Sequence, residues 1–277
     1  MKGRFEGWYY KHQANGKSLA LITGRADDGA FVQVVTSDRA YNIPYQLSEY
    51  HKGGSRLSVG GNTFSPTGAT LDIRRPELTL FGEINYADLT PIRGDIMGPF
   101  RFFPMECRHG IVSMKHALSG AVTLNGELFD LSGGIGYIES DCGRSFPRGY
   151  TWVQCNDFEQ DCSIVASVAR IPFCGLRFQG CICVVWLNGR EVRLATYRGV
   201  KILHCKPGVM ELEQGKYRLS VTVDTREGLA LAAPRAGSMS HTIRETLSCP
   251  AQFRFSERDH VLFEGKSDRA SYEYVPE

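Results

Sequence analysis

The stretch SLALITGRADDGAFVQVV, residues 18–35, decides the fold. Two short runs, SLALITGR and AFVQVV, flank an Asp28-Gly29 pair, and Asp-Gly supplies the positive φ angles that a two-residue hairpin loop requires. The same punctuation returns at Asn15-Gly16, Asn125-Gly126 and Asn188-Gly189. Between these turns lie further alternating runs: ATLDIR (69–74), ELTLFGEINY (77–86), GAVTLNGELFDL (120–131), SIVASVAR (163–170), EVRLATY (191–197) and YRLSVTV (217–223). Helical periodicity is confined to SMSHTIRETL (238–247), where it predicts a turn or two. The pattern as a whole predicts an all-β protein whose antiparallel hairpins close into barrels or sandwiches.

Residues 88–110, DLTPIRGDIMGPFRFFPMECRHG, hold three prolines and three glycines and cannot form one regular strand. They are expected to connect two β-domains, one over residues 1–104, connector included, and one over residues 105–277. A faint internal echo agrees. GWYY, LALITG and FVQVV near the start resemble GYIES, YTWVQCN and SIVASVAR after the connector in pattern, as two similar barrels side by side would require.

A chain of 277 residues, 42% of them hydrophobic, suffices for two modest domains or one large β-unit. The 32 basic and 30 acidic residues are scattered and sum to +2, so no basic stripe marks a nucleic-acid partner. The opening MKGRFEGWYYKH lacks the apolar core of a signal peptide, and the longest apolar run, CICVVWL (181–187), is far short of a membrane span. A soluble, cytoplasmic protein is the expectation. Nine cysteines include no C-x-x-C pair; Cys181 and Cys183 share a strand face and read as small buried apolar groups rather than metal ligands. No phosphate loop, His-x-x-x-His pair, His/carboxylate ligand set or G-x-S-x-G elbow is evident, so neither metal nor cofactor is implied.

One segment departs from this bland surface. GYIESDCGRSFPRGYTWVQCN (136–156) mixes carboxylates, arginines and bulky aromatics inside two strand-like runs. The period of two puts Tyr137, Glu139 and Asp141 on one face, and Tyr150, Trp152, Gln154 and Asn156 on another. FEGWYYK (5–11) likewise groups Glu6, Trp8 and Tyr10. Large rings with a few placed polar groups suit a cavity lining. Arg144 and Arg148 are placed to pair with the acids, Phe100, Phe102 and Phe103 are expected to pack the seam between domains, and His116 reads as a structural histidine. A carboxylic acid in apolar surroundings keeps its proton to higher pH, and can protonate even an alkene where aromatic faces stabilise the cation.

The blocks FEGWYYK (5–11), MGPFRFFPMECRHGIVSMKHALSG (97–120) and GYIESDCGRSFPRGYTWVQCNDF (136–158), with the later APRAGSMSHTIRETL (233–247) and FEGKSDRASYEYV, resemble the signature blocks of the tocopherol cyclase family. The resemblance implies two lipocalin-like β-domains side by side with a pocket at the seam, a fold similar to that of carotenoid hydratase-like and AttH-like proteins and certain fungal cyclases. It implies cofactor-independent closure of a prenylated hydroquinone to a chromanol, by protonation of the side-chain double bond and capture of the tertiary cation by the phenol oxygen. Cys142 stands where many members carry tryptophan, which alters the pocket or seam.

The expected site follows. Asp141 is the first choice for proton donor, with Glu139 or Glu106 competing. Trp8, Tyr10, Tyr137 and Trp152 line the pocket, Gln154, Asn156 and His109 orient the hydroxyl or water that captures the cation, and Arg144 holds a carboxylate. The partner is a hydrophobic small molecule, an isoprenoid or prenyl quinol, with transient membrane contact. A lipocalin-like carrier and a hydratase that adds water to the cation are the alternatives.

Overall fold

The computed structural model describes residues 3–173 and 176–276. Strands make up most of it. They are β1 (Phe5–Ala14), β2 (Lys17–Ala26), β3 (Gly29–Val35), β4 (Ala40–Tyr45), β5 (Tyr50–Gly53), β6 (Arg56–Val59), β7 (Asn62–Ser65), β8 (Gly68–Arg75), β9 (Leu78–Ala87), β10 (Cys107–Leu124), β11 (Glu127–Asp130) and β12 (Ile135–Gly143). There follow β13 (Tyr150–Cys155), β14 (Cys162–Phe173), β15 (Leu176–Leu187), β16 (Arg190–Ala195), β17 (Lys201–Lys206), β18 (Val209–Gln214), β19 (Tyr217–Val223), β20 (Leu229–Arg235), β21 (Ser238–Glu257) and β22 (His260–Val275). Short 3-10 turns at Leu47–Glu49, Gly98–Phe102 and Thr196–Arg198 are the helical elements among the described residues. No helix there is long and apolar enough to cross a membrane.

The hairpins follow from their loop residues. Asn15 and Gly16, Asn125 and Gly126, and Asn188 and Gly189 all have positive φ, the backbone of the mirror-image turn that matches strand twist. The decisive hairpin differs by one position. Ala26 pairs with Gly29, so its loop is Asp27-Asp28 and Gly29 opens β3. SMSHTIRETL is strand rather than helix: within β21, Ile243, Glu245 and Leu247 are buried while Thr242 and Arg244 are exposed, the period of two winning over the helical one.

Two antiparallel sheets result, and they share one plan. The first runs β4-β3-β2-β1-β12-β10-β9-β8-β7-β6-β5, with β11 beside β10; the second runs β16-β15-β14-β13-β22-β21-β19-β18-β17, with β20 beside β21. In each, a four-strand meander pairs through its first strand with a strand that arrives much later. The internal echo is therefore one of topology, shifted by one strand from the expected alignment: β1 corresponds to β13, and GYIES is the closing strand of the first sheet. Neither sheet forms the closed barrel expected. The paths end at β4 and β5, and at β16 and β17. Pro44 removes a backbone donor from β4, and a 3-10 turn intervenes before β5. In the second sheet the side chain of Gln214 bridges from β18 to β16, accepting from the Ala195 N–H at 2.9 Å and donating to the Arg193 carbonyl at 3.0 Å.

The chain forms two compact units, one of Met1–Pro91, His109–Ser145 and Leu231–His241, the other of Ile92–Arg108, Phe146–Ala230 and Thr242–Glu277. The expected division at 104/105 thus falls inside a segment of the second unit, after which the chain returns to the first. Buried Arg193 explains the connector's allegiance: its guanidinium donates to the carbonyls of Arg93 (2.7 Å) and Asp95 (2.8 Å), while Glu191 accepts from the Arg93 N–H at 2.7 Å. The first core holds Leu19, Leu21, Val32, Val34, Phe64 and Ile138 among others; the second holds Val153, Ile164, Val185, Leu219, Phe253 and Phe255. Cys181 and Cys183 lie in the second core, where burial pushes both thiols up, as small apolar groups. Cys174 lies outside the described residues.

Candidate active site

The register of β1 against β12 builds the site. Gly7 pairs with Asp141, Tyr9 with Glu139 and Lys11 with Tyr137, and directly opposed residues share a face. Trp8 and Tyr10 pair with Ser140 and Ile138 and so point to the other face, where Tyr10 and Ile138 join the first core. The expected grouping of Trp8 and Tyr10 with the acids is corrected here. Tyr10 stacks on Phe64 at 5.1 Å, and Trp8 carries the Lys52 ammonium 4.3 Å above its ring. The residues that do share the acidic face are Tyr9 and Lys11, the latter fully buried. FEGWYYKH has large side chains in both phases of the alternation, so only the core on one side reveals which phase faces which way.

β10 lies beside β12 and supplies His109. Its Nδ1 is 3.0 Å from Asp141 Oδ1 and its Nε2 is 3.5 Å from Glu139 Oε2. The Tyr137 hydroxyl donates to the same Glu139 oxygen at 2.6 Å. Burial, reinforced by the neighbouring carboxylates, holds the Tyr137 hydroxyl well above its usual pKa, so it stays a donor. The cluster is sheltered: the side chains of His109, Glu139 and Asp141 keep 13%, 8% and 19% of their exposure. One ligand atom from each lies within 4.8 Å of the others, a donor set able to hold a metal ion or to share protons. The spacing of the sequence showed no His/carboxylate set because His109 and Asp141 are 32 residues apart and meet only through strand pairing.

Other expected residues fall elsewhere. Glu106 is not part of the cluster and belongs to the connector segment of the second unit. The Arg144 guanidinium lies beside Gly3, and the residue's carbonyl accepts from the Gly237 N–H. Arg144 lies just past the end of β12, where strand alternation no longer sets the direction of a side chain. In the second unit, Trp152, Gln154 and Asn156 are buried to 5%, 0% and 2% exposure. Trp152 and Gln154 lie on the face of β13 opposite Val153 and Cys155, which join the second core, as the alternation predicted, and Asn156 follows the strand's end. His116 is structural: its Nδ1 is 3.2 Å from the Ser113 hydroxyl, and its ring meets Tyr86 edge-on at 4.8 Å.

Comparison with known proteins bears on this arrangement. The family described as "Tocopherol cyclase-like" matches residues 84–274, which include His109, Tyr137, Glu139 and Asp141. The chain belongs to the tocopherol cyclase-like family. Among curated proteins, a stretch of 85 residues is 33% identical to the "Probable tocopherol cyclase, chloroplastic" of Oryza sativa subsp. japonica, covering 30% of this chain and 18% of the rice protein's length. Solved structures share the fold at low identity. Kievitone hydratase from Nectria haematococca superposes with a TM-score of 0.58 at 12% identity, covering 99% of this chain and 90% of that one. CghA with Sch210972 gives 0.63 at 8% identity, covering 99% and 89%. A putative AttH from Nitrosomonas europaea gives 0.56 at 12% identity, covering 98% and 92%. The tocopherol cyclase-like fold is thus two open antiparallel sheets in this chain, with the acid–imidazole cluster on the β10–β12–β1 face of the first.

Proposed function

We propose that the chain is a lipophile-modifying enzyme of the isomerase or lyase kind, which protonates an alkene of an isoprenoid substrate such as a prenylated quinol and closes a ring by hydroxyl capture. The observation that carries this reading is His109 held between two carboxylates, with the Tyr137 hydroxyl on Glu139. Family membership and the rice relative's printed name support the reaction class.

In this scheme Asp141 positions the imidazole through Nδ1, and Glu139 with His109 Nε2 holds the working proton. That reverses the order of roles expected from the sequence, because the Asp141 oxygen nearest the cluster is already engaged by His109. The proton passes to the less substituted alkene carbon and leaves a tertiary cation. The substrate hydroxyl adds to that cation, and its proton returns to the Glu139–His109 pair. No atom is gained or lost, and the acid is regenerated. A share in substrate binding is proposed for Tyr137, whose buried position off the first core suits it.

The test is incubation with a prenylated hydroquinone in oxygen-labelled water, with products separated and weighed by mass spectrometry. A chromanol of unchanged mass and no label is expected. A labelled tertiary alcohol would make the chain a hydratase, and recovery of bound but unaltered quinol would make it a carrier.

A further inference from the structure

The segment that leads into β10 displays side chains that the proposed reaction does not use. After Pro91 the chain runs irregularly to the 3-10 turn Gly98–Phe102, within the sequence GPFRFFP (98–104). The three phenylalanines do not fill a core. Phe102 is 73% exposed and Phe103 is 43% exposed. Two adjacent phenyl rings in water forgo a large transfer free energy, and an isolated exposed apolar residue is common where such a pair is not.

The turn is braced rather than loose. Phe100 stacks on Phe178 of β15, with centroids 5.9 Å apart and planes 25° from parallel. Gly98, at φ +54°, brings the backbone against the Tyr197 ring, where a side chain would clash. The Arg108 guanidinium donates to the Arg101 carbonyl at 2.6 Å, and the Phe103 N–H donates to the Phe100 carbonyl at 3.1 Å. The structure therefore presents the two rings on a fixed loop.

Basic side chains outnumber acidic ones near them. Arg101 lies 4.6 Å over the Phe102 ring, Arg108 closes the loop, and exposed Arg170 and Arg177 belong to the β14–β15 hairpin that carries Phe178. Residues 98–108 and 170–178 contain a single acid, Glu106, in a chain whose net charge is only +2. Exposed aromatic rings beside exposed arginines match the two layers of a lipid surface, an acyl boundary beneath anionic headgroups.

We propose that the Phe102–Phe103 turn docks this protein on an anionic lipid surface, the two rings entering the acyl boundary and Arg101 and Arg108 meeting the headgroups. Charge complementarity selects a lipid surface over an apolar protein partner. The docking is independent of the chemistry, since it uses none of His109, Glu139 or Asp141. It does place the chain where lipophilic molecules dissolve.

Vesicle co-sedimentation tests it, with phosphatidylcholine alone and with phosphatidylglycerol added to about a quarter of the lipid. The wild-type protein is expected to sediment with the anionic vesicles, weakly with the neutral ones, and less as salt is raised. Phe102→Ser with Phe103→Ser is expected to lower the partition about ten- to a hundredfold, and Arg101→Gln about severalfold. Both phenylalanines are substantially exposed, so the double variant should melt at the wild-type temperature, which separates lost docking from lost folding. Equal partition of wild type and double variant, or none by either, would overturn the proposal. So would concentration-dependent self-association that the double variant loses while neither protein binds vesicles, because the rings would then serve a second copy of the chain.

Discussion

Glu139 and Asp141 stand two positions apart on one strand face, yet the imidazole between them meets them through different nitrogens. Asp141 meets Nδ1 at 3.0 Å, whereas Glu139 faces Nε2 and also accepts from Tyr137. In the proposed mechanism Glu139→Gln removes a group in the proton path and should lower kcat about 10²- to 10⁴-fold. Asp141→Asn puts an amide on Nδ1 that favours the wrong imidazole tautomer, and should lower kcat by up to about 10⁴-fold with a shifted pH profile and KM unchanged. The pH dependence of chromanol formation by the two variants measures both; identical profiles would remove the distinction of roles. The common face of Tyr137, Glu139 and Asp141 was legible in GYIESD because alternation alone determines it. The partners were not. Tyr9 and Lys11 follow from the β1–β12 register, and His109 from the place of β10 beside β12, and neither pairing leaves a mark in local sequence.

At the scale of elements, the hairpins were readable from Asn-Gly pairs because only a few residue types tolerate two positive φ angles in a row. SMSHTIRETL misled because its apolar positions fit three- and four-residue steps as well as two-residue steps; burial of Ile243, Glu245 and Leu247 shows that the sheet decided. The connector was recognised as irregular, but its attachment rests on Arg193, which no motif announces. This guanidinium is 6% exposed and donates to Glu191 at 2.7 Å besides the Arg93 and Asp95 carbonyls. Arg193→Gln would strand a buried carboxylate and two carbonyls, at a cost of about 3–5 kcal/mol. Chemical denaturation should record that loss, and limited proteolysis should cut residues 92–106 faster. Unchanged stability and cleavage would mean that something other than Arg193 fastens the connector.

For the whole molecule, fold class and the two-part plan were visible in composition and turn spacing, while the open sheets and the repeated crossing of the chain between units were not. Both depend on long-range contacts, such as the Gln33 side chain bonding the Ala232 backbone at 2.9 Å in both directions. Two buried histidines inside the first unit set a global property. Burial lowers the His12 pKa from 6.5 to about 3, helped by His116, and burial lowers that of His116 to about 4. Their hydrogen-bond partners are the Leu19 carbonyl and the Tyr86 and Ser113 hydroxyls, none of which neutralises an imidazolium. Above the unfolded value both states are neutral and nothing is lost. Below it the unfolded chain takes up protons that the folded chain refuses, so stability falls by about 1.4 kcal/mol per pH unit for each histidine until the folded pKa is reached. Denaturation midpoints should therefore drop between about pH 6.5 and pH 4, with close to two protons bound on unfolding. A flat profile across that window would contradict it.

The central claim is that the His109–Glu139 pair delivers a solvent-exchangeable proton to an alkene carbon. Turnover of a prenylated hydroquinone in deuterium oxide, with the product analysed by mass spectrometry and NMR, tests it most directly. The expected product is a chromanol carrying a single deuterium on the carbon next to the newly oxygenated centre, formed by the wild type and lost with Glu139→Gln. Chromanol formed without solvent deuterium, or with Glu139→Gln as fast as the wild type, would contradict it.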